Sequence, residues 1–174
     1  MSESVRSRRA VIALGSNLGQ RLEHLQAALD LLDATPGVDV EAVSPVYETA
    51  PVGGPEQPDY LNAVVLVRTT LSPEALLARA HAVEAERGRV REQRWGPRTL
   101  DVDVVQVEGE RRTGTDLVLP HPRAQERAFV LQPWSDVEAT AVLDGHGPVA
   151  GLLDRLAAQS DVRRRRDLVL AVRE

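Results

Sequence analysis

Along this chain the apolar residues switch period in a set order, and that order limits the available folds more than any single motif. Arg9 to Leu14 is a short apolar run that reads as a buried strand, and GSNLG at Gly15 to Gly19 interrupts it. Leu22, Leu25, Leu29 and Leu32 then recur at helical spacing until Pro36 and Gly37 end the helix. Val38 to Thr49 alternates like a strand, Ala50 to Pro58 is a Pro/Gly-rich loop, and Tyr60 to Thr70 is strand-like again. Ser72 is a good helix N-cap with Pro73 at the first helical position, and Leu76, Leu77, Ala80 and Val83 carry that helix to Gly88. A further strand covers Leu100 to Val105. Strand, helix, strand, strand, helix, strand is the split βαβ repeat, so the expected class is α+β, a ferredoxin-like βαββαβ core with a mainly antiparallel sheet.

The rest of the chain predicts a short polar hairpin around Glu108 to Asp116, a helix over Val149 to Ala158 and a late strand at Leu168 to Val172. The basic run Arg163 to Arg166 reads as a solvated helix terminus. No internal repeat or linker divides the 174 residues, which predicts one domain over 1–174 with residues 1–8 flexible. A chain of this length can bury about 70% of the surface its unfolded form exposes, enough for a core without staples.

Composition removes several classes of chemistry. All 21 basic residues counted as Lys plus Arg are arginines, and without lysine a Walker ATPase, a protein kinase and a Schiff-base enzyme do not fit. With no cysteine there are no disulfides, thiolate nucleophiles or cysteine-zinc sites, in keeping with a reducing cytosol. The formal net charge of -5 gives no basis for a general nucleic-acid surface. The apolar run Ala10 to Leu14 is too short for a signal or membrane segment. A cytoplasmic, monomeric protein acting on small molecules, without nucleic-acid or membrane partners, is expected.

The chemistry-bearing stretch is RWGPRTLDVDVV, Arg94 to Val105. A strand projects Asp101 and Asp103 onto one face, where like charges repel unless a cation sits between them, and hard carboxylate oxygens favour Mg²⁺. The same DxD spacing also occurs on idle, solvated strand faces. Arg89, Arg91, Arg94 and Arg98 cluster just upstream in a segment broken by Gly88, Gly96 and Pro97, which suits a mobile phosphate clamp. Tyr60 and Asn62 alternate onto one face and together suit a flat heterocycle with amide edges. Trp95 and Phe129, two of only five aromatics, also fall in motif segments. His121, ahead of Arg127, could bond a phosphate and supply charge near neutral pH. His81 and Glu84 could face a nucleotide or solvent, and GSNLG is expected to hold the first strand-to-helix corner near the site.

Four segments in order, ALGSNLG, SPVYETAPVGGPEQPDYLNA, GRVREQRWGPRTLDVDVV and LPHPRAQERAF, resemble the 6-hydroxymethyl-7,8-dihydropterin pyrophosphokinase family of folate biosynthesis over almost the whole chain. The resemblance implies transfer of the pyrophosphoryl group of ATP to the pterin hydroxymethyl oxygen, releasing AMP, with two Mg²⁺ ions on Asp101 and Asp103. It implies pterin contacts at Thr49, Pro51, Val52, Tyr60, Asn62, Trp95 and Phe129. It implies nucleotide contacts at Glu84, Arg89, Arg91, Arg94, Arg98, Val104, His121 and Arg127, with Arg91 and Arg98 among the catalytic groups. Departures from the pattern are a loop shorter by one residue between Arg91 and Arg94, Asp116 where some members place arginine, and His81 where some place glutamine. Two other readings are a DxD nucleotidyltransferase and a catalytically silent ferredoxin-like binding module.

Overall fold

The structure is a computed structural model, and it describes residues 6–51, 56–88, 99–156 and 161–172. Strand β1 (Arg8–Ser16) leads to helix α1 (Arg21–Asp33), and then come β2 (Val38–Val43), β3 (Tyr47–Thr49) and β4 (Tyr60–Thr69). Helix α2 (Pro73–Glu86) precedes β5 (Asp101–Val107). The main sheet has the order β10-β3-β4-β1-β5, with β2 beside β3 on the same edge of β4, and every pairing is antiparallel. This is the α+β architecture the order of periods predicts. The Ser72 hydroxyl accepts from the Ala75 amide at 3.1 Å with Pro73 in the first turn, so α2 starts where its cap places it.

Alternation along β1 builds two cores. Ala10, Ile12 and Leu14 face α1 and α2, packing with Leu25, Leu29, Leu76 and Val83. Val11 and Ala13 face the other way with Val64, Leu66 and Val105, under α3 (Ala128–Val137) and its buried Trp134.

The rest of the chain is a set of small additions. Hairpins β6 (Arg112–Thr113) with β7 (Val118–Leu119) and β8 (Val142–Leu143) with β9 (Gly147–Pro148) flank α3, and α4 (Val149–Leu156) follows. β10 (Val162–Arg164) closes the described chain's last ladder.

Four local expectations change. The expected strand Val38 to Thr49 is two strands, because Pro45 sits between them, has no amide hydrogen and cannot continue a ladder. Helix α3 is not among the elements the sequence predicts, its period obscured by Pro133 inside it. The run at Arg163 is strand β10 paired to β3 rather than a helix end. The expected strand Leu168 to Val172 has no ladder. The Gln26 side-chain amide supplies the bonds instead, donating to the Ala171 carbonyl at 2.8 Å and accepting from the Ala171 amide at 3.1 Å. Leu170 then buries into the first core. Helix α4 is observed to Leu156, and the expected end at Ala158 lies outside the described residues.

Candidate active site

On the second sheet face, beside the start of α3, lies a cavity of about 720 Å³ whose floor is β1 at Ala13 and Gly15. Register puts Gly15 opposite Asn62 on β4 and opposite Asp101 on β5, and Ala13 opposite Asp103. The two carboxylates therefore share one face two residues apart and both line the cavity, as the alternation predicts. A side chain on Gly15 would come within 3.3 Å of the Asn62 Oδ1 and 3.6 Å of the Tyr60 ring, so glycine is what lets the walls approach the floor. No local signal marks Gly15, because its role depends on three strands in register.

The wall opposite the aspartates is polar and ordered. Asn62, 4% exposed, donates from Nδ2 to the Thr49 Oγ1 at 2.8 Å. That bond leaves the Asn62 Oδ1 as an acceptor and the Thr49 hydroxyl with a proton to give, a paired edge for a ligand with its own donors and acceptors. Asn17 ties the neighbouring loop down, donating to the Gln57 Oε1 at 2.8 Å and the Pro58 carbonyl at 3.0 Å. This is how the Gly15 to Gly19 corner stays close to the site.

Phe129 lines the cavity from the start of α3, and the Arg127 guanidinium lies 5.5 Å from its ring centre. Arg127 and His121 line the same wall, joined by Arg123, Glu126 and Asp116. Arg123 and Glu126 are not among the site residues expected from the sequence. They follow His121 within one tight turn, and the run HPRAQER could have pointed to them.

His121 behaves differently from the sequence expectation. Burial, followed by the Arg127 and Arg123 charges, pushes its pKa down to about 4, so the ring is neutral at pH 7 and supplies no charge. Its Nδ1 accepts from the Arg123 amide at 3.2 Å, which leaves Nε2 carrying the hydrogen as a neutral donor. Because the folded pKa lies below the ordinary 6.5, the unfolded chain binds the proton more readily between those values. Stability should thus fall as pH drops from about 6.5 towards 4, and His121→Gln should flatten that part of a melting temperature against pH curve. An unchanged slope in the variant would overturn the assignment.

Glu84 is also placed differently from a nucleotide contact. It is 3% exposed and does not line the cavity; its carboxylate accepts from the Val102 amide at 2.9 Å, between the two aspartates on edge strand β5. Helical spacing from Ala80 already puts it on the buried side of α2. Val104 lines the cavity, although its side chain packs in the first core, so it can offer only backbone there. Thr49, Pro51, Tyr60 and Asn62 line it as expected, and so does His81. Val52, Arg89, Arg91, Arg94, Trp95 and Arg98 lie outside the described residues.

Among the described residues no cluster of three or more His, Cys, Asp or Glu could cage a metal ion. Two adjacent carboxylates at the mouth of an open cavity instead suit a hard cation that keeps waters and shares phosphate oxygens, which is the habit of Mg²⁺. Also among the described residues, no helix is long and apolar enough to cross a membrane.

Comparison with known proteins gives the family and the fold. The family model described as 7,8-dihydro-6-hydroxymethylpterin-pyrophosphokinase matches residues 11–139. A 2-amino-4-hydroxy-6-hydroxymethyldihydropteridine pyrophosphokinase of Methylorubrum extorquens is 45% identical over 137 residues, covering 79% of this chain and 87% of its own. The protein of the same name from Mycobacterium leprae is 47% identical over 165 residues, covering 88% of this chain and 83% of its own. Among solved structures, a Plasmodium falciparum HPPK-DHPS triple mutant superposes with a TM-score of 0.69 at 13% identity, and the match covers 91% of this chain but 46% of that one. The chain thus spans about half the length of that solved protein, and the likeness concerns the fold alone. From the family model and the relatives together, the chain belongs to the 7,8-dihydro-6-hydroxymethylpterin-pyrophosphokinase family.

Proposed function

We propose that this chain is a 2-amino-4-hydroxy-6-hydroxymethyldihydropteridine diphosphokinase, which transfers the pyrophosphoryl group of ATP to the hydroxymethyl oxygen of 6-hydroxymethyl-7,8-dihydropterin in tetrahydrofolate biosynthesis. The observation that carries the proposal is the convergence of Asp101 and Asp103 with the Asn62–Thr49 pair over the Gly15 floor of one cavity. In the reaction the hydroxymethyl oxygen bonds to the β-phosphorus, the bond from that phosphorus to the α-phosphate bridging oxygen breaks, and AMP leaves while the hydroxyl proton is released. Two Mg²⁺ ions, when bound on Asp101 and Asp103, would neutralise charge on the phosphate oxygens.

The side chains do the positioning. Asn62 and Thr49 meet the amide edge of the pterin and Tyr60 and Phe129 flank its ring, while Trp95, Pro51 and Val52 supply its remaining contacts. His121 gives a neutral N–H and Arg127 a charge to the nucleotide phosphates. Arg89, Arg91, Arg94 and Arg98 take up the charge that builds on the departing AMP oxygen. The cavity volume of about 720 Å³ is in the range for small-molecule sites. The enzyme works as a cytoplasmic monomer of one domain, with no nucleic-acid or membrane partner.

Mass spectrometry of the products from ATP, Mg²⁺ and the hydroxymethyl-dihydropterin tests this directly. AMP with a diphosphorylated pterin is expected, whereas ADP with a monophosphorylated pterin, or no turnover, would overturn it. Gly15→Val should also weaken pterin binding by about a hundredfold, since its methyls would occupy the space where the ring meets Asn62 and Tyr60. Parent-like affinity in a fluorescence titration would remove the pterin from this floor.

A further inference from the structure

Two arginines cross-tie the ends of the 50–59 loop, and one of them comes from the far end of the chain, beyond the residues that match the family model. Arg21 Nη1 donates to the Glu48 Oε2 at 2.7 Å and to the Asp59 carbonyl at 2.9 Å, joining the residue before Thr49 to the residue before Tyr60. Arg163 Nη2 makes the same span, 2.7 Å from the Asp59 Oδ2 and 3.9 Å from the Glu48 Oε1. Arg165 adds a third guanidinium, with Nη1 at 3.2 Å from the Glu48 Oε2. The Glu48 side chain is only 14% exposed, so these contacts are less screened than an ordinary surface pair.

The backbone runs in parallel with the charges. β10 pairs with β3, Arg163 opposite Glu48 and Val162 opposite Thr49, and the Arg165 amide donates to the Val46 carbonyl at 2.8 Å. β3 is only three residues long, and its last residue is Thr49, bonded to Asn62. A strand that short has few ladder bonds of its own to fix it, and Glu48 points away from the cavity while its neighbour Thr49 lines it.

We propose that Arg21 and Arg163 are positioning residues, which act through Glu48 and Asp59 to hold Thr49, Tyr60 and Asn62 at the separation the pterin ring requires. This rests on the pyrophosphokinase reading. Neither arginine lines the cavity, so their effect falls on the pterin and not on ATP.

The test is calorimetric or fluorescence binding of 6-hydroxymethylpterin to the full chain with a non-hydrolysable ATP analogue and Mg²⁺ present. Arg163→Met should weaken pterin binding about fivefold, and Arg21→Met with Arg163→Met about twentyfold, the range of partly exposed networked ion pairs. Affinity for the ATP analogue should stay within about twofold of the parent. Arg163→Lys should restore parent-like pterin binding, because a single terminal nitrogen makes both contacts. Glu48→Gln keeps the side-chain volume, removes the shared anion and should reproduce the selective loss.

Pterin affinity unchanged in Arg163→Met and Glu48→Gln overturns the inference. So does an equal loss for the ATP analogue, or a lysine variant as weak as the methionine one, since either outcome marks general destabilisation. A parent protein that fails to bind the pterin overturns the pyrophosphokinase reading and this inference with it.

Discussion

Replacing Asp101 or Asp103 with alanine should lower Mg²⁺-dependent AMP release by about 10³-fold or more, equivalent to about 4 kcal/mol of transition-state stabilisation. Each substitution removes one of two carboxylates that share the cavity face, and among the described residues no third acid is clustered with them to take its place. The fold should survive, because both side chains sit at the half-buried rim while Val102 and Val104 between and beside them carry the packing. The measurement is turnover at saturating ATP across a Mg²⁺ titration, with circular dichroism as the control for folding. Turnover within about tenfold of the parent in either variant would sink the metal assignment.

Trp134→Ala should have the largest effect on stability, a loss of about 3–5 kcal/mol. Trp134 is 1% exposed at the centre of the second core, between α3 and the sheet residues Val11, Val64 and Val105, and its indole nitrogen donates to the Glu138 Oε1 at 3.3 Å. For a chain of this length such a loss corresponds to a melting temperature lower by about 6–20 °C. Since α3 also presents Phe129 to the cavity, pterin affinity should fall together with stability. Urea unfolding within about 1 kcal/mol of the parent would show that this core tolerates the gap.

How much of the fold and site is legible in the sequence depends on whether the signal is local. Alternation in DVDVV is enough to put Asp101 and Asp103 on one face, because a strand's period needs no partner to set it. Ser72 and Pro73 mark the start of α2 for the same reason. Tyr60, Asn62 and Phe129 meet in one cavity as their motif segments suggest.

Non-local features stay hidden. Gly15 matters through the register of β1 with both neighbours, which no window of sequence contains. β10 is a basic tripeptide without apolar alternation, and it is a strand only because β3 offers an unpaired edge. The charge expected of His121 disappears because folding buries the ring, with the Arg127 and Arg123 charges adding to that effect. Glu84 is a case of the opposite kind, where the helical period carries the answer but the acidic side chain suggests a ligand contact.

β5 terminates the main sheet, and its outward amide at Val102 is bonded to the Glu84 carboxylate while the His121 amide occupies the Val105 carbonyl. A foreign strand seeking to extend the ladder there would first have to displace a buried acid from the Val102 amide, a bond that one new backbone bond only replaces. The rim that carries the reactive carboxylates is thereby denied to fibrous growth, and can stay open to solutes without inviting its own kind.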